Sequence, residues 1–188
     1  MLRVECDLVG KSPISFSRPL VSAKNTGEGH ADFEERTWRE RMHVMPDGEV
    51  FFNPTGLKLA LSGAAKYLSE SVPGKGKATY TKHFDAGVQV SDPLMFGVQA
   101  DDVDGEWYHV PSDGRKGGTS RVMKCFPVLP AGWRTHAILH VFDPILKADV
   151  IERYLKHAGM FIGLGRFRPR NGGWYGQFDI ENFESVES

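Results

Sequence analysis

Residues 159–183 read Gly-Met-Phe-Ile-Gly-Leu-Gly-Arg-Phe-Arg-Pro-Arg-Asn-Gly-Gly-Trp-Tyr-Gly-Gln-Phe-Asp-Ile-Glu-Asn-Phe. Glycines at 159, 163, 165, 172, 173 and 176 are interleaved with Arg166, Arg168 and Arg170, and the first acid is Asp179. Glycine lets the main chain take positive φ and approach another backbone closely, while a guanidinium offers planar paired donors to phosphate oxygens and stacks on bases. The stretch therefore points to a polyanionic partner. The same composition also builds an ordinary turn between a helix and a strand, so the flanking elements have to decide.

Upstream, Asp149 opens a helix with Val150, Ile151, Tyr154, Leu155 and Ala158 on one stripe and Glu152, Arg153 and Lys156 on the other; Gly159 is its expected stop. Downstream, Trp174 to Phe183 alternates as a closing strand, with Trp174 assigned to the core side. Leu2 to Val9 alternates in the same way at the start of the chain. Leu57, Leu61, Ala64, Ala65 and Leu68 fit one face of a helix over 55–69, capped by Asn53 or Thr55 and stopped by Pro73-Gly74. Met45 to Glu49 reads as a hairpin turn. Residues 121–129 and 134–142 read as two strands joined by Pro130-Ala131-Gly132, the second apolar on both sides like a covered central strand. His136 and His140 share one side of it and read as structural. Residues 22–36 are expected to form a long mobile loop, followed by a strand or short helix near 37–44, and 74–120 an excursion holding short strands near 86–90 and 94–98. The order strand, helix, strand, strand, helix, strand predicts one α+β domain over 1–188, a ferredoxin-like βαββαβ antiparallel sheet of the RNA recognition motif kind.

A chain of 188 residues with a formal net charge of −1 excludes binding of nucleic acid by bulk charge, so any such contact has to come from a local basic surface. Besides the arginine loop, Lys75, Lys77, Tyr80, Lys82 and His83 mix cations with an aromatic ring, a combination suited to unstacked bases. Lys58, on the wet face of the first helix, is placed to follow the same backbone, with Lys66 as a solubilising neighbour. The two cysteines, Cys6 and Cys125, lack metal or redox spacing and read as buried small hydrophobes of a reduced, cytoplasmic protein. The opening Met-Leu-Arg-Val-Glu-Cys-Asp is charged from its third residue, so no signal peptide is expected, and no apolar run approaches the ~20 residues of a membrane helix. HExxH, Walker, GxSxG and dinucleotide patterns are absent, so no metal site and no cofactor are expected.

Three stretches carry a family resemblance: Lys11 to Ser17 after the opening strand, Glu49-Val-Phe-Phe-Asn-Pro-Thr-Gly-Leu-Lys-Leu-Ala-Leu61, and the glycine loop after the second helix. In that order they resemble the RAMP superfamily, the RNA-binding proteins of CRISPR effector complexes, and within it the repeating backbone subunit that lines the guide RNA. The resemblance implies RNA held through sugar and phosphate, finger or thumb excursions at 22–36 and 74–120, and head-to-tail assembly. Some backbone subunits cut target RNA with an aspartate in the early loop, where Asp32 stands here, although the residues around it depart from that motif. A guide-processing branch uses general acid/base chemistry, for which His30 in the same loop is the corresponding candidate.

Three functions follow. The first is non-catalytic binding of single-stranded nucleic acid, RNA before DNA, by a homo-oligomer along the strand or a subunit of a ribonucleoprotein. The second is a metal-independent endoribonuclease. The third is an interaction module that engages a CRISPR-type nucleoprotein.

Overall fold

Period-two alternation in Leu2–Gly10 makes strand β1, whose Val4, Cys6 and Leu8 are fully buried while Arg3, Glu5 and Asp7 lie on the opposite face. The computed structural model describes residues 1–112 and 120–187. After β1 come β2 (Ile14–Ser15), α1 (His30–Thr37), β3 (His43–Val44), β4 (Glu49–Phe52), α2 (Pro54–Leu68), α3 (Thr81–Gly87), β5 (Val88–Val90) and β6 (Leu94–Gln99). The chain continues with β7 (Asp104–Pro111), β8 (Arg121–Leu129), β9 (Arg134–Val141), α4 (Ala148–His157) and β10 (Phe178–Glu187). The fold is α+β with antiparallel sheets: a four-stranded sheet ordered β10-β1-β9-β5, and two three-stranded sheets, β2-β8-β7 and β3-β4-β6.

Helices α2 and α4 bury Leu57, Leu61, Ile151, Tyr154 and Leu155 in one core with Val4, Leu8, Leu139 and Val141 of the large sheet. Asn53 caps α2 by accepting the Thr55 N–H at 2.9 Å, with Pro54 at the first helical position. Helix α4 does not stop at Gly159. It runs on through a π-type turn, Ala158–Ile162, and ends at Gly163 (φ 70°), while Gly159 is needed for a different reason: a Cβ there would strike the Phe178 carbonyl.

Four expectations are corrected. Residues 121–129 and 134–141 are strands, but they enter different sheets. The chain between them wraps Gly10, where Trp133 leaves no room for a Cβ and donates its Nε1–H to Ser12 O at 2.9 Å. Strand β9 instead lies between β1 and β5, with Val88 opposite Val141, so part of the 74–120 excursion belongs to the main sheet; residues 113–119, between β7 and β8 in the chain, lie outside the described residues. The second half of the 22–36 loop is helix α1. The closing strand begins only at Phe178, and in the turn before it Tyr175 is buried while Trp174 is 55% exposed, the reverse of the alternation read from sequence.

Glu34 explains why α1 forms where few apolar residues occur. Strand β2 covers β8 only at Val128 and Leu129, leaving the edge at Cys125 without a partner strand on that side. Glu34 Oε1 accepts the Cys125 N–H at 2.9 Å and bonds Arg41 at 2.5 Å, and Arg41 Nε donates to Cys125 O at 3.0 Å. A buried ion pair thus takes the place of the missing strand. Burial holds both free thiols protonated, Cys6 pushed up to about 12 and Cys125 to about 11.

The outward face of the large sheet carries charges, and its cations are paired: Arg3 with Glu5 at 2.9 Å, Lys11 with Asp179 at 2.9 Å, Arg134 with Glu181 at 2.5 Å. His136 sits between Asp7 (2.9 Å) and Glu5 (3.3 Å). Among the described residues the Lys and Arg side chains of this face are paired, unlike the free positive charge of an RNA recognition motif platform. Side chains of β9 on this side are partly open to solvent, not covered as the apolar pattern predicted.

Two outcomes follow. Glu34→Gln leaves Arg41 charged and buried without its counter-ion, and a fall of about 3–5 kcal/mol in urea-unfolding free energy is expected. The bond to Asp7, before that to Glu5, raises the pKa of His136, so its contribution is fully present below about pH 6.5 and is lost as pH rises through the raised value. His136→Gln should therefore destabilise more near pH 5.5 than near pH 9 in urea melts, by about 1 kcal/mol or less because the ring is half exposed.

Candidate nucleic-acid interface

The glycine and arginine segment is a rigid ridge and not a flexible edge. Arg166 N–H donates to Ser15 O and Gly176 N–H to Pro13 O, both at 2.7 Å, while Leu164 N–H reaches Gly176 O at 2.9 Å. These bonds lay the main chain of 163–176 directly on the β1–β2 connection. Gly165 (φ 74°) permits that approach, since a Cβ there would strike Ser15 O, and Gly176 (φ 70°) lets the ridge close on itself, since a Cβ there would strike Leu164 O. On its other side the ridge is pinned to β7. Tyr175 OH lies 2.6 Å from Tyr108 OH and donates to Glu106 Oε2 at 2.7 Å, and Tyr108 OH also bonds Glu106. Burial pushes both phenol pKa values up, helped at Tyr108 by the bond to Glu106 and at Tyr175 by the bonds to Tyr108 and Glu106.

The ridge aims its arginines in different directions. Arg166 lies over the Phe126 ring at 3.6 Å from the centroid, with Tyr108 at 5.1 Å, and burial lowers its pKa. Arg168 enters a cleft of about 220 Å³ lined by Phe16, Ser17, Arg18, Arg41, His43, Phe52, Asn53 and Gly165, none of them acidic. Its Nε is buried without a hydrogen-bond partner, and burial, then Arg170, lower its pKa. Arg41 is already neutralised by Glu34, which leaves Arg18 and Arg168 as the uncompensated charges. His43 is held below the usual histidine value by burial and then by Arg18. Arg170, in the middle of the 3-10 turn Pro169–Asn171, leans on α2 beside Gly63. Among the described residues none of these three arginines is in an ion pair with a carboxylate.

The second cationic segment is not one platform. Lys75, Lys77 and Lys82 are exposed, but Tyr80 and His83 are buried. Tyr80 packs 5.6 Å from the Tyr154 ring, and His83 Nδ1 lies 2.6 Å from Asp143 Oδ2. The reason is helix α3, whose spacing turns Tyr80, His83 and Phe84 inward together. Lys58 is also occupied: its Nζ bonds the Phe84 and Asp85 carbonyls at the end of α3, and burial lowers its pKa. Tyr80 and His83 thus present no ring to a strand of bases, and Lys58 offers little of its charge to one.

His30 and Asp32 are exposed on the first turn of α1. His30 lines a cleft of about 410 Å³ with Arg18, Phe33, Arg41, Lys124 and Phe126 among its walls. Arg18 and Arg41 also line the Arg168 cleft, so the two join into one groove with Arg166 beside it on Phe126. Arg18, Arg41, His43 and Phe126 carry no sequence signal as a group, because three separate stretches of chain supply them. Among the described residues no cluster of His, Cys, Asp and Glu is placed to hold a metal ion.

The fold has a solved counterpart. A chain of a structure described as "Type IV-B CRISPR Complex" matches with a TM-score of 0.53 over 99% of this chain and 91% of that chain, at 12% sequence identity. At that identity the likeness speaks to the fold alone. No protein-family model and no curated protein matches the sequence.

Gly176→Ala tests whether the ridge is fixed. The added methyl meets both positive φ and the Leu164 carbonyl, and a loss of about 1–3 kcal/mol in thermal or urea unfolding is expected.

Proposed function

We propose that this chain is a non-catalytic, RAMP-like subunit of a CRISPR-type nucleoprotein, holding single-stranded RNA by its sugar-phosphate backbone in the groove under the glycine ridge. The observation that carries the reading is the Arg168 cleft: a guanidinium with an unpartnered Nε, flanked by Arg18 and His43, with no carboxylate in its walls. Desolvated cations without counter-ions destabilise a fold, and an arriving phosphate relieves that cost by bonding them. Arg166 extends the same positive surface and, held flat on Phe126, loses little entropy on binding.

The strand order supports reading the core as ferredoxin-like βαββαβ: α2 lies between β1 and β5 in the chain, α4 between β9 and β10, and the sheet runs β10-β1-β9-β5. The structural neighbour's place in a CRISPR complex supports a similar place for this chain. Repetition of the chain head to tail would carry one RNA from groove to groove.

Fluorescence anisotropy with a labelled single-stranded RNA, and a DNA of the same sequence, tests the reading across a salt series. Binding should weaken steeply with salt. Arg166→Ala, Arg168→Ala and Arg170→Ala combined should flatten the log–log slope by about 2, at ~0.7 for each phosphate of a single strand that is no longer neutralised. An unchanged slope in a folded triple variant would overturn it. The RNA should also remain intact in chelator; cleavage that disappears in His30→Ala would favour the endoribonuclease reading instead.

A further inference from the structure

Next to the phosphate groove lies a second one, with different walls. It occupies about 550 Å³ between the last turns of α2 and the π-type turn, lined by Lys66, Tyr67, Met160, Phe161 and Arg170 among others, with no carboxylate in its lining. Clefts that hold small organic ligands run from about 300 to 1,000 Å³. Tyr67 is 64% exposed, Met160 55%. The Tyr67 ring meets Phe161 at 5.1 Å and 32°, and Phe161 stacks on His157 at 5.7 Å and 15°. The result is a ladder of three rings whose outer rung is open to solvent.

We propose that this ladder is a nucleobase-stacking site, and that the same RNA strand whose phosphate sits at Arg168 places a base on Tyr67. The inference rests on the RNA-binding reading and adds the aromatic half of the track. Two features favour a base over a protein side chain. The rings are flanked by cations: Arg170, with no described carboxylate partner, and Lys66, whose pair with Asp85 at 3.2 Å is exposed and easily exchanged. Aromatic rings interleaved with cations are what single strands bind, since every base has a π-face and every nucleotide a phosphate. The groove is also separated from the phosphate cleft by only one short turn of chain. Arg168 and Arg170 are two residues apart, at most ~7 Å along the chain, and Pro169 lies between them on the wall of this groove. A single nucleotide crossing that turn meets one arginine on each side.

The experiment uses the full chain and a short single-stranded RNA carrying 2-aminopurine, read by anisotropy and by quenching of the analogue. Tyr67→Ala should bind about tenfold more weakly, within the range seen when a stacking ring is removed, and should lose quenching. Tyr67→Phe should restore both, because the ring matters and the hydroxyl does not. An oligomer with abasic positions should bind wild type and Tyr67→Ala equally.

If Tyr67→Ala binds like wild type while Arg168→Ala does not, the stacking site falls and the phosphate groove stands. If no RNA binds the wild-type protein, both fall. If Tyr67→Ala changes only the sizing profile in the absence of RNA, the groove is a protein interface and the proposal is overturned.

Discussion

Main chain lying on main chain, where 163–176 crosses the β1–β2 connection, is the constraint on which the other features depend. Two peptide segments that close leave no room for a side chain at the crossing, so the Ser15 carbonyl requires glycine at 165, and the fold of the segment on itself, at the Leu164 carbonyl, requires it at 176. The hydrogen bonds across the crossing fix the ridge in height and direction. With the backbone fixed, Arg166 lies on Phe126, Arg168 enters the neighbouring cleft and Arg170 turns onto α2. Cationic side chains on a mobile loop would lose much more rotamer entropy on meeting an anion than these do.

Electrostatics follows from the same geometry. A chain with a net charge of −1 concentrates positive potential by sorting its acids elsewhere: Glu5, Asp7, Asp179 and Glu181 occupy the outer sheet face and pair with its cations. Two acids stay close by: Glu106, committed to the Tyr108 and Tyr175 hydroxyls, and Glu34, beside the groove in its ion pair with Arg41 and bonded to the Cys125 backbone. That pair supports β8, which in turn holds Phe126 under Arg166. A structural ion pair and a ligand-facing cation are thus neighbours with different duties. Only their surroundings tell them apart, because an arginine in the sequence reveals neither.

The elements that were legible are those whose pattern is local. Val4, Cys6 and Leu8 alternate; Leu57, Leu61, Ala64 and Ala65 recur at helical spacing; Asn53 before Pro54 is a cap. Both β1 and α2 could be bounded within a residue or two on those grounds. Strand β5 has three residues and helix α3 seven, too short for a period to stand out from chance, and α1 is held by a charge pair that has no periodic signature. The inversion of Trp174 and Tyr175 has a similar cause. Gly173, pressed against the Phe167 carbonyl, and Gly176 break the strand that alternation assumed, so the side of each ring is set by a turn.

Sequence by itself determined that the chain is α+β, that two amphipathic helices and a long alternating strand share a core, and that glycine and arginine concentrate after the second helix, because hydrophobic period and backbone permissiveness are written residue by residue. Only the tertiary structure decided which cations stay unpaired. Charge neutralisation depends on groups far apart in the chain meeting in space: Glu34 with Arg41 and Cys125, Asp143 with His83, the Phe84 carbonyl with Lys58. The arginines and the open ring ladder beside them are what those pairings left over.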